Sequence, residues 1–501
     1  MLISEFFIMV NQPTLLSTQL FYKDRVVEVT LNRVMLGFWK EIETRRKRSA
    51  SFNCISKDAD HHFLLVSEIV GARETKEEED QTNKDGGRKH RVLLYPYAFT
   101  VSYTERTKHH CWRYKDIIFH CLDEAQRQQW VQTINNQLSL LSIRPKRLLV
   151  YINPYSGKQR GKWIYEQRVA PLFSRASIST DVIGSTDCIC YSTTGTNDPV
   201  TSALHIIMGD SQPMDVCSVH HNNTFLRYSV SLLGYGFYGD VLTDSERKRW
   251  MGPSRYDFSG LKTFLTHQYY EGTVAFLPAE DNLGNPRDKI KCMTGCHICE
   301  QGANNGQLLS LDHVDKMAEE NSDKETSGDG VWRVIRGKFL AINAASMSCA
   351  CPRSPRGLSP YAHLADGTTD LILVRKASRL DFLRHLMRHT NKDDQFDMSF
   401  VEVHRVRRFR FVPKQSNGIS EVDLSETSGK KICNQVCTAH PNNDTGHSNW
   451  NCDGEILPHA DIQVSVHCQL IRLFARGVER RTTFDTYTWS VIEGSSLSWQ
   501  A

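Results

Sequence analysis

The sequence predicts a multidomain chain of the α+β class, and three patterns along its 501 residues support this prediction. Residues 15–140 alternate apolar and polar positions and end in one helical pattern. At Arg147 a short apolar run leads into a glycine-containing turn and a helix, which is typical of an α/β unit. From about residue 266 the pattern is that of antiparallel strands, which favours a β-sandwich.

The composition excludes several other classes of protein. Basic and acidic side chains number 61 and 57, so the net charge of +4 predicts no nucleic-acid partner. No apolar run approaches the roughly 18 residues of a membrane-spanning helix. The 15 cysteines are spaced irregularly, which favours a reduced, cytoplasmic protein. The apolar opening MLISEFFIMV lacks a basic start, so we expect a first strand or a ragged terminus rather than a secretion signal.

The pattern of the N-terminal unit, residues 1–140, predicts short strands followed by one amphipathic helix that packs on them. Strand patterns occur in QLFYKDRVVEVT, HRVLLYPYAFTVSYT and CWRYKDIIFHC. The helix that follows has Asp123 as a candidate cap. Its apolar face is predicted to carry Ala125, Trp130, Ile134 and Leu138. This arrangement resembles a pleckstrin-homology domain.

The pleckstrin-homology resemblance implies that basic side chains in the first strand loops bind membrane phosphoinositides. The candidates are Lys23, Arg25, Arg45, Arg46, Lys47 and Arg48. Only a clustered basic patch gives useful attraction to an anionic lipid surface. The alternative is a solvated loop without a ligand. The polar stretch 75–91 is predicted to be a loop because it has few apolar residues.

The strand that begins at Arg147 is expected to be buried on both faces of a parallel sheet. The turn NPYSGKQRG follows it, and then a helix whose apolar face carries Ile164, Val169 and Leu172. A strand, a glycine turn and a helix point backbone N–H groups at phosphate. The glycine spacing does not fit a Walker A loop. A phosphate-binding loop and an ordinary tight turn therefore both remain open from these residues alone.

Several motifs occur in order along the rest of the chain: INPYSGK, GSTDCICYSTTGT, SLLGYGFYGD with DSERKRW, SPRGLSPYAHLADGTTDLILVRK, and WNCDGE. Together they resemble the ceramide kinases of the diacylglycerol-kinase/sphingosine-kinase family. The resemblance implies an ATP- and Mg²⁺-dependent lipid kinase of sphingolipid metabolism that phosphorylates ceramide and is peripheral on membranes. It also implies an α/β nucleotide domain at 145–265 and a β-sandwich lipid domain at 266–477. The tail at 478–501 carries no motif and departs from the resemblance.

The resemblance further implies a set of site residues. The nucleotide-binding positions are Asn153, Pro154, Tyr155, Ser156, Gly157, Gly184, Ser185, Thr186, Arg249, Arg255, Asp453, Gly454 and Glu455. The two arginines suit ATP phosphates because a planar guanidinium group binds phosphate oxygens in pairs. Candidates for orienting the lipid head group or Mg²⁺ are Asp240, Asp244 and Glu246. Solvated helix carboxylates are the alternative for these three.

One family motif is missing from the chain. The glycine-rich GGDG turn, whose aspartate is the expected general base, would stand between Ile183 and Gly184, which are adjacent here. A βαβ unit needs roughly 30 residues, so a central strand is also expected to be absent. The SGDG at 327–330 follows a polar, acidic stretch and is predicted to be a linker. We therefore expect low kinase turnover, with a catalytically silent lipid- or phosphoinositide-binding protein as the alternative.

Three cysteines, Cys292, Cys296 and Cys299, have a C-x3-C-x2-C spacing. Thiolate ligation of zinc is one interpretation, because a C-x2-C knuckle has suitable spacing. The sequence offers no evident fourth ligand. Free structural or redox-sensitive thiols are therefore the favoured interpretation.

Residues 379–390 form a basic amphipathic pattern with Leu380, Leu383 and Met387 on one face. Such a helix binds calmodulin or a membrane surface in some proteins. We favour the alternative, a surface helix that packs this apolar face on the sandwich. The two polar inserts, near 300–330 and 414–448, are expected to be disordered.

Overall fold

The computed structural model describes residues 12–23, 25–40, 61–75, 96–150, 160–182, 192–279, 284–305, 331–351, 354–391, 393–414, 447–479 and 488–489. The chain divides into two compact units. The first comprises Met1–Thr186, Thr193–Ser211 and Phe474–Ala501, and the second comprises Asp187–Ser192 and Gln212–Leu473. Across the described ranges, the structure has no helix long and apolar enough to cross a membrane. The multidomain α+β class is confirmed.

The first unit contains one antiparallel sheet. Its strands are β1 (Thr14–Tyr22), β2 (Arg25–Asn32), β3 (Met35–Lys40), β4 (His61–Leu65), β5 (Ile69–Glu74), β6 (Tyr97–Arg106), β7 (Trp112–Cys121) and β20 (Thr488–Trp489). They lie in the order β20-β4-β3-β2-β1-β7-β6-β5. Alternate side chains such as Val27, Val29 and Leu31 are buried, as the period of two predicts.

One helix, α1 (Glu124–Ser139), closes this sheet. Asp123 caps it as predicted, because its carboxylate accepts a hydrogen bond from the backbone N–H of Gln126 at 2.7 Å. Trp130, Ile134 and Leu138 are buried against the sheet. The prediction for Ala125 was wrong, since it is exposed. Five residues before Trp130, it lies about 140° around the helix from the buried face.

The part of the first unit that follows α1 contains two parallel strands, β8 (Arg147–Val150) and β9 (Ser179–Val182). Between them lie α2 (Gly161–Ile164), a π-helical turn (Tyr165–Val169) and α3 (Ala170–Arg175), and after them α4 (Pro199–Met208). The strand and the helix after it are confirmed, with Leu172 buried. The prediction that β8 is buried on both faces was wrong, because Leu149 is 56% exposed. Parallel strands are covered on both faces only within a larger sheet, and this described sheet has two strands.

A partly buried ion network joins distant segments of the first unit. Arg476 Nη1 lies 2.6 Å from Glu68 Oε1, and its Nε lies 2.5 Å from Asp210 Oδ2. Arg106 reaches the same Glu68 at 3.0 Å and Glu479 at 2.9 Å. Burial opposes ionisation of Glu68, but the charges of Arg106 and Arg476 outweigh it and lower its pKa to about 2.

The two arginines of this network also contact a stacked pair of aromatic rings, Trp112 and His205. The guanidinium groups of Arg106 and Arg476 lie over the Trp112 ring, at 4.7 and 5.2 Å from its centroid. The other ring in the stack is His205 of α4, whose centroid lies 3.8 Å from that of Trp112. His205 Nδ1 accepts a hydrogen bond from the backbone N–H of Arg476 at 3.1 Å. Because Nδ1 of His205 accepts this hydrogen bond, the proton of the neutral imidazole lies on Nε2.

The second unit is built on a ten-stranded sheet. Its strands are β10 (Ser211–His221), β11 (Thr224–Ser229), β12 (Leu232–Gly236), β13 (Tyr270–Pro278), β14 (Arg333–Ala345), β15 (Thr369–Arg375), β16 (Val401–Pro413), β17 (Trp450–Cys452), β18 (Glu455–Leu457) and β19 (Ile462–Phe474). Its helices are α5 (Phe237–Glu246), α6 (Ser254–Thr266), α7 (His297–Asn305) and α8 (Arg379–Arg388).

Four of these strands form a closed circuit of antiparallel pairings. β13 pairs with β14 and β16, and β15 pairs with the same two strands. The long strands switch partner along their length: β14 pairs with β13 over 333–339 and with β15 over 339–345. The predicted antiparallel strands are therefore confirmed. Tyr235, Phe411 and Trp450 meet in the core, with ring centroids 4.7 and 5.1 Å from that of Tyr235.

Two predictions for the second unit need correction. The polar insert expected from residue 300 begins in a helix, α7, while 306–330 and 415–446 lie outside the described residues. Helix α8 packs Phe382 and His385 into the unit, and leaves Leu380, Leu383 and Met387 exposed. The expected packing face was therefore wrong, because an aromatic ring and an imidazole fill the contact instead of the three aliphatic side chains.

Candidate functional site

Five of the described candidate residues lie in the segment that runs from α5 to α6. Helix α5 begins after Gly236, whose φ of 74° is left-handed. A Cβ at this position would lie 2.5 Å from the Leu340 carbonyl oxygen, so only glycine fits between the strand and the helix. This turn sets the start of the helix that carries Asp240, Asp244 and Glu246.

Asp240 is a hydrogen-bonded carboxylate in a largely buried position. Its Oδ2 accepts a hydrogen bond from the Tyr270 hydroxyl at 2.6 Å, and its Oδ1 accepts one from the Ser448 hydroxyl at 2.6 Å. Burial raises the pKa of the Asp240 carboxyl above its ordinary value. The interpretation of Asp240 as a solvated helix carboxylate was therefore wrong. Neither Tyr270 nor Ser448 has a local sequence signal, because both are distant from α5 along the chain.

Asp244 and Glu246 are ion-paired. Asp244 contacts the ammonium groups of Lys248 and Lys262, the latter at 2.9 Å. Burial opposes ionisation, but hydrogen bonds, led by that from Lys248, lower the pKa of Asp244. Because these oxygens contact cations, Asp244 neutralises the two lysines.

The two predicted phosphate-binding arginines converge on Glu246. Arg249 Nε donates to Glu246 Oε2 at 2.6 Å, and Arg255 Nη2 lies 3.1 Å from Oε1. The sequence resemblance implied both arginines, and the structure brings them to one anionic group. Two guanidinium groups around one carboxylate have the charge and donor geometry that suit a phosphate.

In the predicted motif 453–455, Asp453 and Gly454 form a two-residue hairpin turn between β17 and β18, and Glu455 is the first residue of β18. Asp453 and Gly454 both have positive φ, at 50° and 92°, which Asp-Gly accommodates. The Asp453 carboxylate accepts hydrogen bonds from the backbone N–H groups of Val230 (2.7 Å), Ser231 (3.0 Å) and Leu232 (2.8 Å). It thereby joins this hairpin to the start of β12.

The other predicted positions divide between exposed and undescribed residues. Lys23 and Arg25 are both exposed, at the turn between β1 and β2. The phosphate loops 153–157 and 184–186, the basic run 45–48 and the SGDG at 327–330 lie outside the described residues. Among the described predicted positions, the structure therefore brings Glu246 together with Arg249 and Arg255.

A separate cluster contains the three predicted cysteines and a histidine that sequence reasoning missed. The ligand atoms of Cys292, Cys296, Cys299 and His363 all lie within 4.8 Å of one another, and we call these residues the thiol–imidazole cluster. Among the described residues, these four side chains form a group that is close enough together to hold a metal ion. His363 precedes β15 and lies far from the cysteines along the chain, so their spacing gave no signal for it.

Comparisons with known proteins show the family of this chain. Family models described as the ceramide kinase PH domain and the ceramide kinase C-terminal domain match residues 16–134 and 231–486. Human ceramide kinase is 44% identical to this chain in an alignment of 551 positions. The alignment covers 94% of this chain and 98% of the human protein. Mouse ceramide kinase is 43% identical over 547 residues, covering 93% and 98%.

A solved diacylglycerol kinase from Bacillus anthracis is also similar, with 9% identity and a TM-score of 0.30 over 68% of this chain and 80% of that one. The sequence relatives, which span almost the whole chain at high identity, decide the classification. The chain belongs to the ceramide kinase family.

Proposed function

We propose that this chain is an ATP-dependent lipid kinase that transfers the γ-phosphoryl group of ATP to the primary hydroxyl of ceramide, with impaired turnover. The observation that carries this proposal is the α5–α6 segment. It holds a partly buried carboxylate, Asp240, on the helix that also presents Glu246 to two arginines. Phosphoryl transfer depends chiefly on positioning and charge stabilisation, and this segment offers groups for both.

Each described residue has a distinct role in this proposal. Asp240 orients the lipid hydroxyl, since each of its oxygens accepts one hydrogen bond, from Tyr270 or Ser448, and has a second lone pair for another hydroxyl. Arg249 and Arg255 exchange Glu246 for ATP phosphate oxygens. The loops 153–157 and 184–186 are proposed to supply further nucleotide contacts. The turn 453–455 approaches the nucleotide through Gly454 and Glu455, because the Asp453 carboxylate is occupied by backbone N–H groups.

Mg²⁺ is the metal that the family resemblance implies. The described carboxylates do not fit it well, because Asp240 accepts from two hydroxyls, while Asp244 and Glu246 contact lysines and arginines. A hard divalent cation needs several free oxygen ligands. We therefore propose that Mg²⁺ is bound through ATP and residues other than these three, and we assign no step to it.

The impaired turnover rests on the missing segment. The alignment with human ceramide kinase extends over 551 positions, whereas 94% of this chain amounts to about 471 residues, so about 80 aligned positions have no residue here. Within the described residues, β8 and β9 form a sheet of two parallel strands with Leu149 exposed. The alignment length supports a loss of residues from this chain, and the two-stranded described sheet supports a missing strand beside it. We propose that the lost residues include a strand, a phosphate loop and the general base between Ile183 and Gly184.

A transfer assay tests this proposal. The full chain is compared with a version carrying the human relative's segment between Ile183 and Gly184, using radiolabelled ATP and ceramide in mixed micelles. We expect transfer by the restored chain to exceed that of the original chain at least 100-fold, an order-of-magnitude effect of losing a general base. The matched control restores the segment with the GGDG aspartate replaced by asparagine and is expected to stay inactive.

Two results would overturn parts of the proposal. Equal rates for the original and restored chains would refute the impairment. Absence of ceramide phosphorylation by the restored chain, folded and stable, would refute the lipid kinase assignment.

A second candidate function is a catalytically silent, membrane-associated phosphoinositide-binding protein. The observation that favours it is the pair of exposed cations, Lys23 and Arg25, at one turn of the pleckstrin-homology sheet. Such a protein would be cytoplasmic and peripheral on membranes. Each basic side chain near an anionic surface contributes about 1 kcal/mol, so the double variant Lys23→Ser/Arg25→Ser should bind phosphoinositide vesicles about 30-fold more weakly.

The matched control for the vesicle assay is Arg33→Ser, because Arg33 is exposed at the turn between β2 and β3, at the opposite end of these strands. Its binding should equal that of the unmodified chain. Equal weakening by both variants would show a general charge effect and refute a site at the β1–β2 turn.

Helix α8 offers a surface for calmodulin, which we propose as a partner. Its exposed apolar side chains Leu380, Leu383 and Met387 accompany the exposed Arg379 and Arg384. A basic, apolar helix face complements an acidic protein with hydrophobic grooves. Calcium-dependent binding of purified calmodulin should be lost in Leu380→Asp/Met387→Asp, and failure of the unmodified chain to bind would refute the partner.

A further inference from the structure

The thiol–imidazole cluster of the second unit carries an inference that is independent of kinase activity. We propose that this cluster binds one Zn²⁺ ion with tetrahedral Cys3His coordination. The ion would act as a structural cross-link within the second unit. The inference rests on the distances, the donor types and the surroundings of the four side chains.

The spacing of the donor atoms suits a tetrahedral site. With Zn–S distances of about 2.3 Å, two sulfur ligands of one tetrahedral ion lie about 3.8 Å apart. The sulfurs of Cys292 and Cys299 are 3.7 Å apart. Cys296 Sγ lies 3.2 Å from His363 Nδ1, against about 3.6 Å for a sulfur and a nitrogen on the same ion. Small shifts of the side chains therefore suffice to admit the metal.

The histidine has no other evident role in its position. His363 is buried, with 2% of its surface exposed, and its Nδ1 is directed at Cys296. Its Nε2 is also buried and has no hydrogen-bond partner. A buried imidazole whose polar contact is to a thiol group is poorly satisfied by the protein alone. Ligation of a metal through Nδ1 would compensate its burial.

The chemistry of the donors selects the metal class. Three thiolates and one imidazole are soft and borderline ligands, which favour Zn²⁺ over Mg²⁺ or Ca²⁺. All three cysteines are free. A bonded pair of sulfurs would be about 2.05 Å apart, well below the distance between Cys292 and Cys299. A disulfide would also leave the third thiol and His363 unexplained.

The surroundings show what the metal would hold together. Cys296 immediately precedes α7, Cys299 lies in the first turn of α7, and His363 lies in the loop before β15. This helix and loop are in close contact, since a Cβ at Gly302 would lie 2.6 Å from Cα of Asp366. The Gln469 side-chain amide donates to the carbonyls of Cys299 and Ala365, at 3.0 and 3.1 Å. The ion would therefore cross-link α7 to the loop that carries Asp366.

Metal content of the full chain, purified without chelators, tests this proposal. We expect one zinc per chain by elemental mass spectrometry. The variants Cys296→Ser and His363→Ala should each lower the zinc content at least tenfold. Cys351→Ser is the matched control, because Cys351 is a free thiol outside the cluster, and it should retain one zinc. A zinc content near zero in the unmodified chain would overturn the proposal.

A spectroscopic measurement keeps the proposal testable where a variant fails to fold. X-ray absorption of the unmodified chain should show three sulfurs at about 2.3 Å and one nitrogen at about 2.0 Å. In the cobalt-substituted chain, His363→Cys should keep the tetrahedral spectrum and shift its sulfur charge-transfer bands. Four sulfur ligands in the unmodified chain would overturn the assignment of His363, and a Cys292–Cys299 disulfide found by peptide mapping would overturn the metal site. None of these readouts uses kinase turnover, so they are separate from the proposed function.

Discussion

Arg476 Nη1 lies 2.6 Å from Glu68 Oε1, although the two residues are near opposite ends of the chain. The same guanidinium group contacts Asp210 and lies over the ring of Trp112. One cation therefore links the pleckstrin-homology domain, the short segment after α4 that contains Asp210, and the segment after β19. All these groups belong to the first compact unit.

Replacement of Arg476 should destabilise the first unit. Arg476→Met keeps much of the side-chain volume but leaves Glu68 and Asp210 without this cation. These pairs are partly buried, so the loss should lie between the about 0–1 kcal/mol of an exposed pair and the about 3–5 kcal/mol of a fully buried one. Urea unfolding of the full chain, followed by fluorescence, measures this change.

The control for Arg476 is Lys414→Met, which removes a surface ion pair with Glu271. Exposed pairs contribute about 0–1 kcal/mol, so the control should leave the urea midpoint almost unchanged. Equal effects of the two variants would contradict the special role of Arg476.

The free energy of unfolding should fall in acid because of His205. Burial lowers the pKa of His205 to about 3, and the charges of Arg476 and Arg106 act in the same direction. The unfolded chain binds this proton near pH 6.5, so the stabilisation is complete above that pH and is lost as pH falls towards 3. The full effect is on the order of 5 kcal/mol.

Unfolding measured from pH 7 to pH 4 checks this slope. His205→Gln should flatten it, because glutamine does not titrate while its carbonyl can still accept the Arg476 N–H. The exposed His109 offers a control, and His109→Asn should keep the slope of the unmodified chain. An unchanged slope in His205→Gln would assign the acid sensitivity to another group.

Asp453 should act mainly on stability. Asp453→Ala removes the acceptor of three backbone N–H groups and places alanine at a positive φ, which together should cost about 2–4 kcal/mol. Asp453→Asn should cost less, because asparagine tolerates this conformation and keeps one acceptor oxygen. Thermal unfolding measures both variants. A loss of ATP binding without any loss of stability would instead assign the carboxylate to the nucleotide.

Tyr270 should influence lipid binding through Asp240. Tyr270→Phe removes the hydroxyl that donates to Asp240, so in the chain with the restored segment we expect the KM for ceramide to rise about threefold to tenfold, equivalent to about 0.5–1.5 kcal/mol. Tyr269→Phe is the matched control, since the Tyr269 hydroxyl donates to the Ala377 carbonyl instead. A change in the KM for ATP alone would contradict a role of Asp240 at the lipid hydroxyl.

The sequence was sufficient wherever one short segment determines the structure. The cap Asp123 and the buried residues Trp130, Ile134 and Leu138 follow from a helical repeat, and the antiparallel strands follow from alternation. The prediction for Ala125 failed because this residue lies on a different side of the helix from the repeat formed by Trp130, Ile134 and Leu138.

Other features depend on contacts between distant segments, which periodicity does not contain. His363 reaches the three cysteines only through the packing of α7 on the loop before β15. Asp240 accepts hydrogen bonds from Tyr270 and Ser448, which are distant in sequence, so its neighbours in α5 do not predict these contacts. The exposure of Leu149 depends on which strands lie beside β8, and local hydrophobicity does not specify that.

The circuit of β13, β14, β15 and β16 has a consequence for limited proteolysis. Residues 306–330 lie between α7 and β14, and residues 415–446 lie between β16 and β17. The strands on both sides of each segment belong to the same sheet, in which β14 pairs with β13 and β17 pairs with β12. A protease nick in either segment would leave two fragments held together by intact hydrogen-bond ladders. The cleaved second unit should therefore co-elute as one particle under native conditions and separate only in denaturant.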